Sequence, residues 1–109
     1  MGEILIVDAI TAKPGKAREL LDAYLADYAP GARARGMELR HTLIEPPLGM
    51  QGDLVNTLSF VWAVDGVEGW WRARFAATFD PAIAGFWKTI APLVQHRTRT
   101  NHGEAADHV

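Results

Sequence analysis

The sequence has no cysteine, a single serine and no large excess of charge of either sign. Without cysteine there is no disulfide, no thiolate metal site and no cysteine nucleophile. Ser59 lies in no nucleophile elbow, which argues against a serine hydrolase. No glycine-rich phosphate or dinucleotide loop is present. A formal net charge of -2 leaves no basic footprint for nucleic acid. No apolar run is long enough to cross a bilayer, and the N-terminal stretch lacks the pattern of a signal peptide. The expectation is a cytoplasmic protein with neither a membrane nor a nucleic-acid partner.

With 49% hydrophobic and 22% charged residues over 109 positions, the composition is that of a folded domain. We expect one domain over residues 1–102 and a short frayed tail over 103–109. A monomer of this length buries only about two-thirds of its unfolded surface. A second subunit would therefore add stability.

Residues 4–10 are apolar and β-branched except for Asp8, as in a strand covered on both faces. After Pro14-Gly15, Ala17, Leu20, Leu21, Tyr24, Leu25 and Tyr28 recur at helical spacing, and Pro30-Gly31 is expected to end that helix. Met37 to Glu45 alternates as a strand, a long loop spans 46–53, and a third strand is expected from Leu54 to Val64. A helical region in two pieces follows, divided at Asp80-Pro81, and a last strand runs from about Leu93 to Asn101.

The order β-α-β-β-α-β is the split βαβ pattern of an α+β, ferredoxin-like domain with a four-stranded antiparallel sheet. Right-handed crossovers place the first and third strands in the centre and the helices on one face. Those two strands are apolar on both faces, so a homodimer pairing sheet against sheet is expected.

Several residues draw attention as a site. Trp62, Trp71, Phe75 and Phe86 are candidate walls of a pocket for a small aromatic or apolar ligand. Arg72 and Arg74 stand among these aromatics and offer planar cationic clamps for an anion. His41 shares parity with Met37, Leu39 and Leu43 and is a candidate general base. Asn56 shares the face of Leu58, Phe60 and Trp62, where it would orient a carbonyl or a water. The 46–53 loop is a candidate lip over the entrance. Asp8, on a central strand, must be paired, hydrogen-bonded or near an opening, and possible partners include Arg97 and Arg99 on the fourth strand. His41 and His96 fall on opposite edge strands, so no metal site is expected.

Over residues 3–102 the chain resembles the dimeric α+β barrel superfamily, in which two ferredoxin-like subunits pack their sheets together. Pro14-Gly15-Lys16 before the first helix, Trp62 closing the third strand, Arg72, Arg74 and Asp80-Pro81 look like NIPSNAP-type domains. The antibiotic-biosynthesis monooxygenase branch is similar in ending its third strand on a Trp. Relatives of that branch place a histidine nine residues further on, where this chain has Trp71, so no haem ligand is implied. The resemblance implies two functions. One is a small-molecule enzyme acting on an aromatic or polyketide-like substrate, as a monooxygenase needing no cofactor or as a cyclase or isomerase. The other is a non-catalytic NIPSNAP-type module that binds an apolar ligand.

Overall fold

Burial alternates strictly along the first strand. In a computed structural model describing residues 2–109, β1 (Ile4–Ala12) buries Ile4, Ile6, Asp8, Ile10 and Ala12 and leaves the residues between them half-buried. The other strands are β2 (Glu38–Glu45), β3 (Thr57–Val64) and β4 (Val94–Gly103). They form one antiparallel sheet in the order β2-β3-β1-β4, with β1 and β3 central as right-handed crossovers require. The fold is α+β and ferredoxin-like.

The helices are α1 (Ala17–Ala23), α2 (Ala29–Ala34), α3 (Gly66–Thr78) and α4 (Pro81–Ile90). They cover the face that carries Ile6, Ile10, Leu58, Phe60 and Trp62, and the core lies between. Tyr24 stacks on Phe60 with ring centroids 3.6 Å apart, and Phe86 meets Tyr24 edge-on. Among the described residues no helix is long and apolar enough to cross a membrane.

The first helix runs past its expected stop at Pro30-Gly31. A π-helical turn, Tyr24–Tyr28, joins α1 to α2. The wider turn shifts bonding away from the i−4 carbonyl just ahead of Pro30, so a ring that would break an α-helix is accommodated at the start of α2. The third strand is shorter than expected, beginning at Thr57 rather than Leu54. The division at Asp80 is as expected: the carboxylate caps α4 by accepting from the Ala82 amide at 3.0 Å. Residues 105–108, expected to fray, form a 3-10 turn.

Gly15 ties the first turn to the 46–53 loop. Its φ of 74° favours glycine, and a side chain there would come within 3.0 Å of the Gly52 carbonyl. Asn56, buried, donates to the Gly49 carbonyl at 3.0 Å and holds the same loop from the other side.

Among the described residues, α1 to α4 pack their buried side chains on the face of Ile6, Phe60 and Trp62 and not on the second one. The second face presents Leu5, Val7, Ala9 and Thr11 of β1 beside Thr57, Ser59 and Val61 of β3, while Ala63 on the same side is buried. A bulge at Arg40 in β2 breaks the parity expected of His41. Leu39 packs on the core, whereas His41 and Leu43 pair with Val61 and Ser59 on the open face.

Phe60→Ala removes the ring under Tyr24. At fixed protein concentration it should lower the unfolding free energy by about 3–5 kcal/mol, measured by urea titration. A loss under about 1 kcal/mol would mean that this stack is not at the centre of the core.

Candidate functional site

The buried carboxylate of Asp8 sits on the helix-covered face of a central strand, 2% exposed. Such a charge must be paired. Arg99, directly opposite on β4, supplies both arms of its fork: Nε donates to Oδ1 at 2.5 Å and Nη2 to Oδ2 at 2.8 Å. Of the two arginines available from the sequence, Arg99 is therefore the partner. Arg97 instead lies over the Trp87 ring, 3.9 Å from its centroid.

The π-helical turn brings Tyr24 and Tyr28 to the same place. Tyr24 donates to Asp8 Oδ2 at 2.5 Å and accepts from the Trp62 indole at 2.7 Å. Burial, followed by the charge of Asp8 and the hydrogen bond to it, raises the Tyr24 pKa far above its ordinary 10.0. It stays a phenol at any ordinary pH. Burial alone would disfavour the Arg99 cation, but the hydrogen bonds and charge of Asp8 outweigh it and raise the guanidinium pKa. Tyr28 accepts from Arg99 at 2.6 Å and from Arg35 at 3.4 Å.

Arg99 is only partly covered, and its outer side opens into a cleft of about 280 Å³ between the sheet and α3. Three guanidiniums line this cleft, those of Arg35, Arg74 and Arg99, together with Asn101. Ile6, Met37, Trp70 and Ile83 give it apolar walls. Arg35 follows α2 directly. Its side chain is 7% exposed, and its Nη1 reaches Asp80 at a long 3.5 Å. Its Nε is buried without a hydrogen-bond partner among the described residues. A void of about 40 Å³ on its far side has room for one water. Arg74 lies over the Trp70 ring, 4.8 Å from its centroid, and makes no ion pair among the described residues.

Of the residues expected from sequence to wall, clamp or assist at a site, Arg74 lines this cleft and the others do not, while Arg99, expected as a partner of Asp8, lines it as well. Trp62 and Phe86 are core side chains, with Trp62 acting as a donor to Tyr24. Trp71 and Phe75 are exposed on the outer side of α3, at 49% and 64%, so the four aromatics do not wall one cavity. Arg72 is exposed outside the cleft. His41 is on the opposite sheet face, and Asn56 anchors the 46–53 loop. That loop lies by Gly15, at the far end of β1 from the cleft, and is no lip over it. A helix that stops at Pro30-Gly31 leaves Arg35 outside it, so the sequence pattern gives no sign of its place in the cleft. Continued past Pro30, the buried spacing Tyr24, Tyr28, Ala32 leads on to Arg35.

No family model matches the chain, and no curated protein matches it in sequence. Solved structures do. A NIPSNAP domain protein from Burkholderia xenovorans superposes with a TM-score of 0.71 at 19% identity, over 94% of this chain and 95% of its own. The fold is that of NIPSNAP-type domains. A NIPSNAP family protein of unknown function from Agrobacterium tumefaciens gives a TM-score of 0.69 at 14% identity, over 93% of this chain and 86% of its own. A protein from Pseudomonas aeruginosa gives 0.62 at 15%, over 95% of each chain. At these identities the NIPSNAP likeness is one of architecture, and the cleft chemistry has to be read from this chain's own residues.

Tyr24→Phe leaves the Trp62 N–H and Asp8 each short of a partner. It should cost about 1–3 kcal/mol near neutral pH. The folded Tyr24 pKa is raised, so its contribution is full below the unfolded value of 10.0 and declines as pH rises above it. Above pH 10 the wild-type should therefore lose about 1.4 kcal/mol more per pH unit than Tyr24→Phe. Parallel urea-derived stability curves from pH 9 to 11.5 would contradict the assignment.

Proposed function

We propose that the protein is a homodimeric binding module that holds a small, largely apolar molecule by an anionic group in the cleft over Arg35, Arg74 and Arg99. The observation that carries this reading is the charge balance of the cleft. Three arginines line one space, while among the described residues only Asp8 and Asp80 pair with them. Asp8 is taken up by Arg99 and Tyr24, and Asp80 also caps α4. An anionic ligand would balance the remaining positive charge, and a guanidinium fork suits a carboxylate. The apolar walls and a volume just under the common ligand-pocket range of about 300–1,000 Å³ suit a small ligand.

The same clamp could serve a cofactor-independent monooxygenase, but that chemistry needs a base beside the substrate. His41 stands on the other sheet face, Asp8 is locked in its ion pair, and Tyr24 holds its proton. Binding is favoured over turnover on these grounds. The dimer is supported by the open sheet face, where Leu5, Val7, Val61 and Leu43 meet no helix. A second copy brings an identical face, as two-fold symmetry allows.

Two measurements test this reading. Calorimetric titration with benzoate and butyrate should show binding to the wild-type, weakened about tenfold or more by Arg35→Gln, with no oxygen uptake. Oxygen consumption with a phenolic substrate would favour the enzyme, and unchanged affinity in Arg35→Gln would remove the clamp. In sedimentation equilibrium the wild-type should run at twice the 12.0 kDa chain mass, and Val7→Arg at the chain mass. A monomeric wild-type would end the sheet-to-sheet pairing.

A further inference from the structure

The cleft does not end at its apolar walls. Ala77, Thr78 and Ile83 also line a second, more open groove between the end of α3, the start of α4 and β4. Cations crowd the cleft, whereas the groove is bordered mostly by apolar side chains, among them Phe79, Pro81, Ala84 and Trp87. Phe79 stands at its rim, 82% exposed. Arg97 and Asp80 are the charged groups there. Arg97 is drawn onto the Trp87 ring, and Asp80 is held by Arg35 and the α4 amide. The two spaces thus run from a cationic end to an apolar end along one line of side chains.

We infer that the ligand is a linear monocarboxylic acid of medium chain length, with its carboxylate among Arg35, Arg74 and Arg99 and its alkyl chain in the groove beneath Phe79 and beside Trp87. The inference rests on the anion-binding reading of the cleft and adds the shape and chemistry of the remainder of the ligand. The cleft alone takes one small group, and a ligand spanning both spaces passes Ala77, Thr78 and Ile83, which line both, so an extended chain suits the pair of spaces better than fused rings. From Ala73, level with the cleft, to Phe79 at the groove, the helical rise is about 9 Å, the reach of an acid of roughly eight carbons.

The test is calorimetric titration of the full-length protein with sodium butyrate, hexanoate, octanoate and decanoate, all below their critical micelle concentrations. Affinity should rise about two- to fourfold per methylene up to octanoate and then level off. Ala84→Trp fills the groove from an exposed helix position. It should bring octanoate to within about threefold of butyrate and leave butyrate unchanged. Should that variant not fold, Phe79→Ala changes only an exposed ring and should weaken octanoate about threefold without affecting butyrate. Butyrate binding that depends on Arg35 but does not strengthen with chain length would overturn the alkyl groove and leave the anion site standing. Octanoate affinity unchanged in either groove variant would also overturn it. If no acid of any length binds, the anion site and the groove fall together.

Discussion

Asp8 is a carboxylate placed on the middle strand of the sheet, on the side the helices cover, and most of the molecule is arranged around that one charge. It cannot remain there unpaired, and its partners come from three different parts of the chain. Arg99 reaches it from β4, Tyr24 from the π-helical turn, and Trp62 on β3 supports it through the Tyr24 hydroxyl. The residue pairing in the sheet, the depth of the first helix and the placement of the only fully buried tryptophan are thereby linked. β4 is almost wholly exposed and has little apolar surface to hold it in register. The Asp8–Arg99 pair fixes that register with a buried charge, where a slip of one residue would leave the carboxylate without its cation.

The same pairing creates the cleft. A guanidinium that must reach inward to Asp8 exposes its outer edge to the space between the sheet and α3. Arg35, brought there by the continuation of the helix past Pro30, and Arg74, lying on Trp70, add their charges to that space. The site thus forms where structural cations outnumber the carboxylates that neutralise them. In the proposed reading, this surplus of positive charge is what would hold an anion. The site's carboxylates are already committed to structural partners, and a phenol whose pKa is driven up by burial and then by a neighbouring carboxylate is a poor acid.

The two sheet faces divide the molecule's surfaces. The covered face builds the core and the cleft, and the other face carries Leu5, Val7 and Val61. The bulge at Arg40 sends His41 to the open face, away from the cleft. In the binding reading proposed here, self-association and ligand binding therefore use opposite sides of one sheet.

The sequence by itself determined the layer plan. Alternation in the first and third strands, the helical spacing from Ala17 to Tyr28 and the cap at Asp80-Pro81 are local signals, set by which side chains can be buried at periods of 2 and 3.6. The lone charge of Asp8 on a central strand also called for a pair, a hydrogen bond or an opening, with Arg97 and Arg99 among the possible partners. What only the tertiary structure decided was which side chains meet. Trp71 and Phe75 carry a helical repeat as regular as that of a buried face, yet it turns outward, because small Gly69 and Ala73 on another side of α3 are what pack against the sheet. Arg35 and Arg99 are 64 positions apart and share a cleft only because a π-helical turn and an edge strand converge on Asp8. Local periodicity shows that an element has a buried face. Which face that is, and which distant charges end up sharing a space with it, depends on packing between elements, and sequence spacing does not encode that directly.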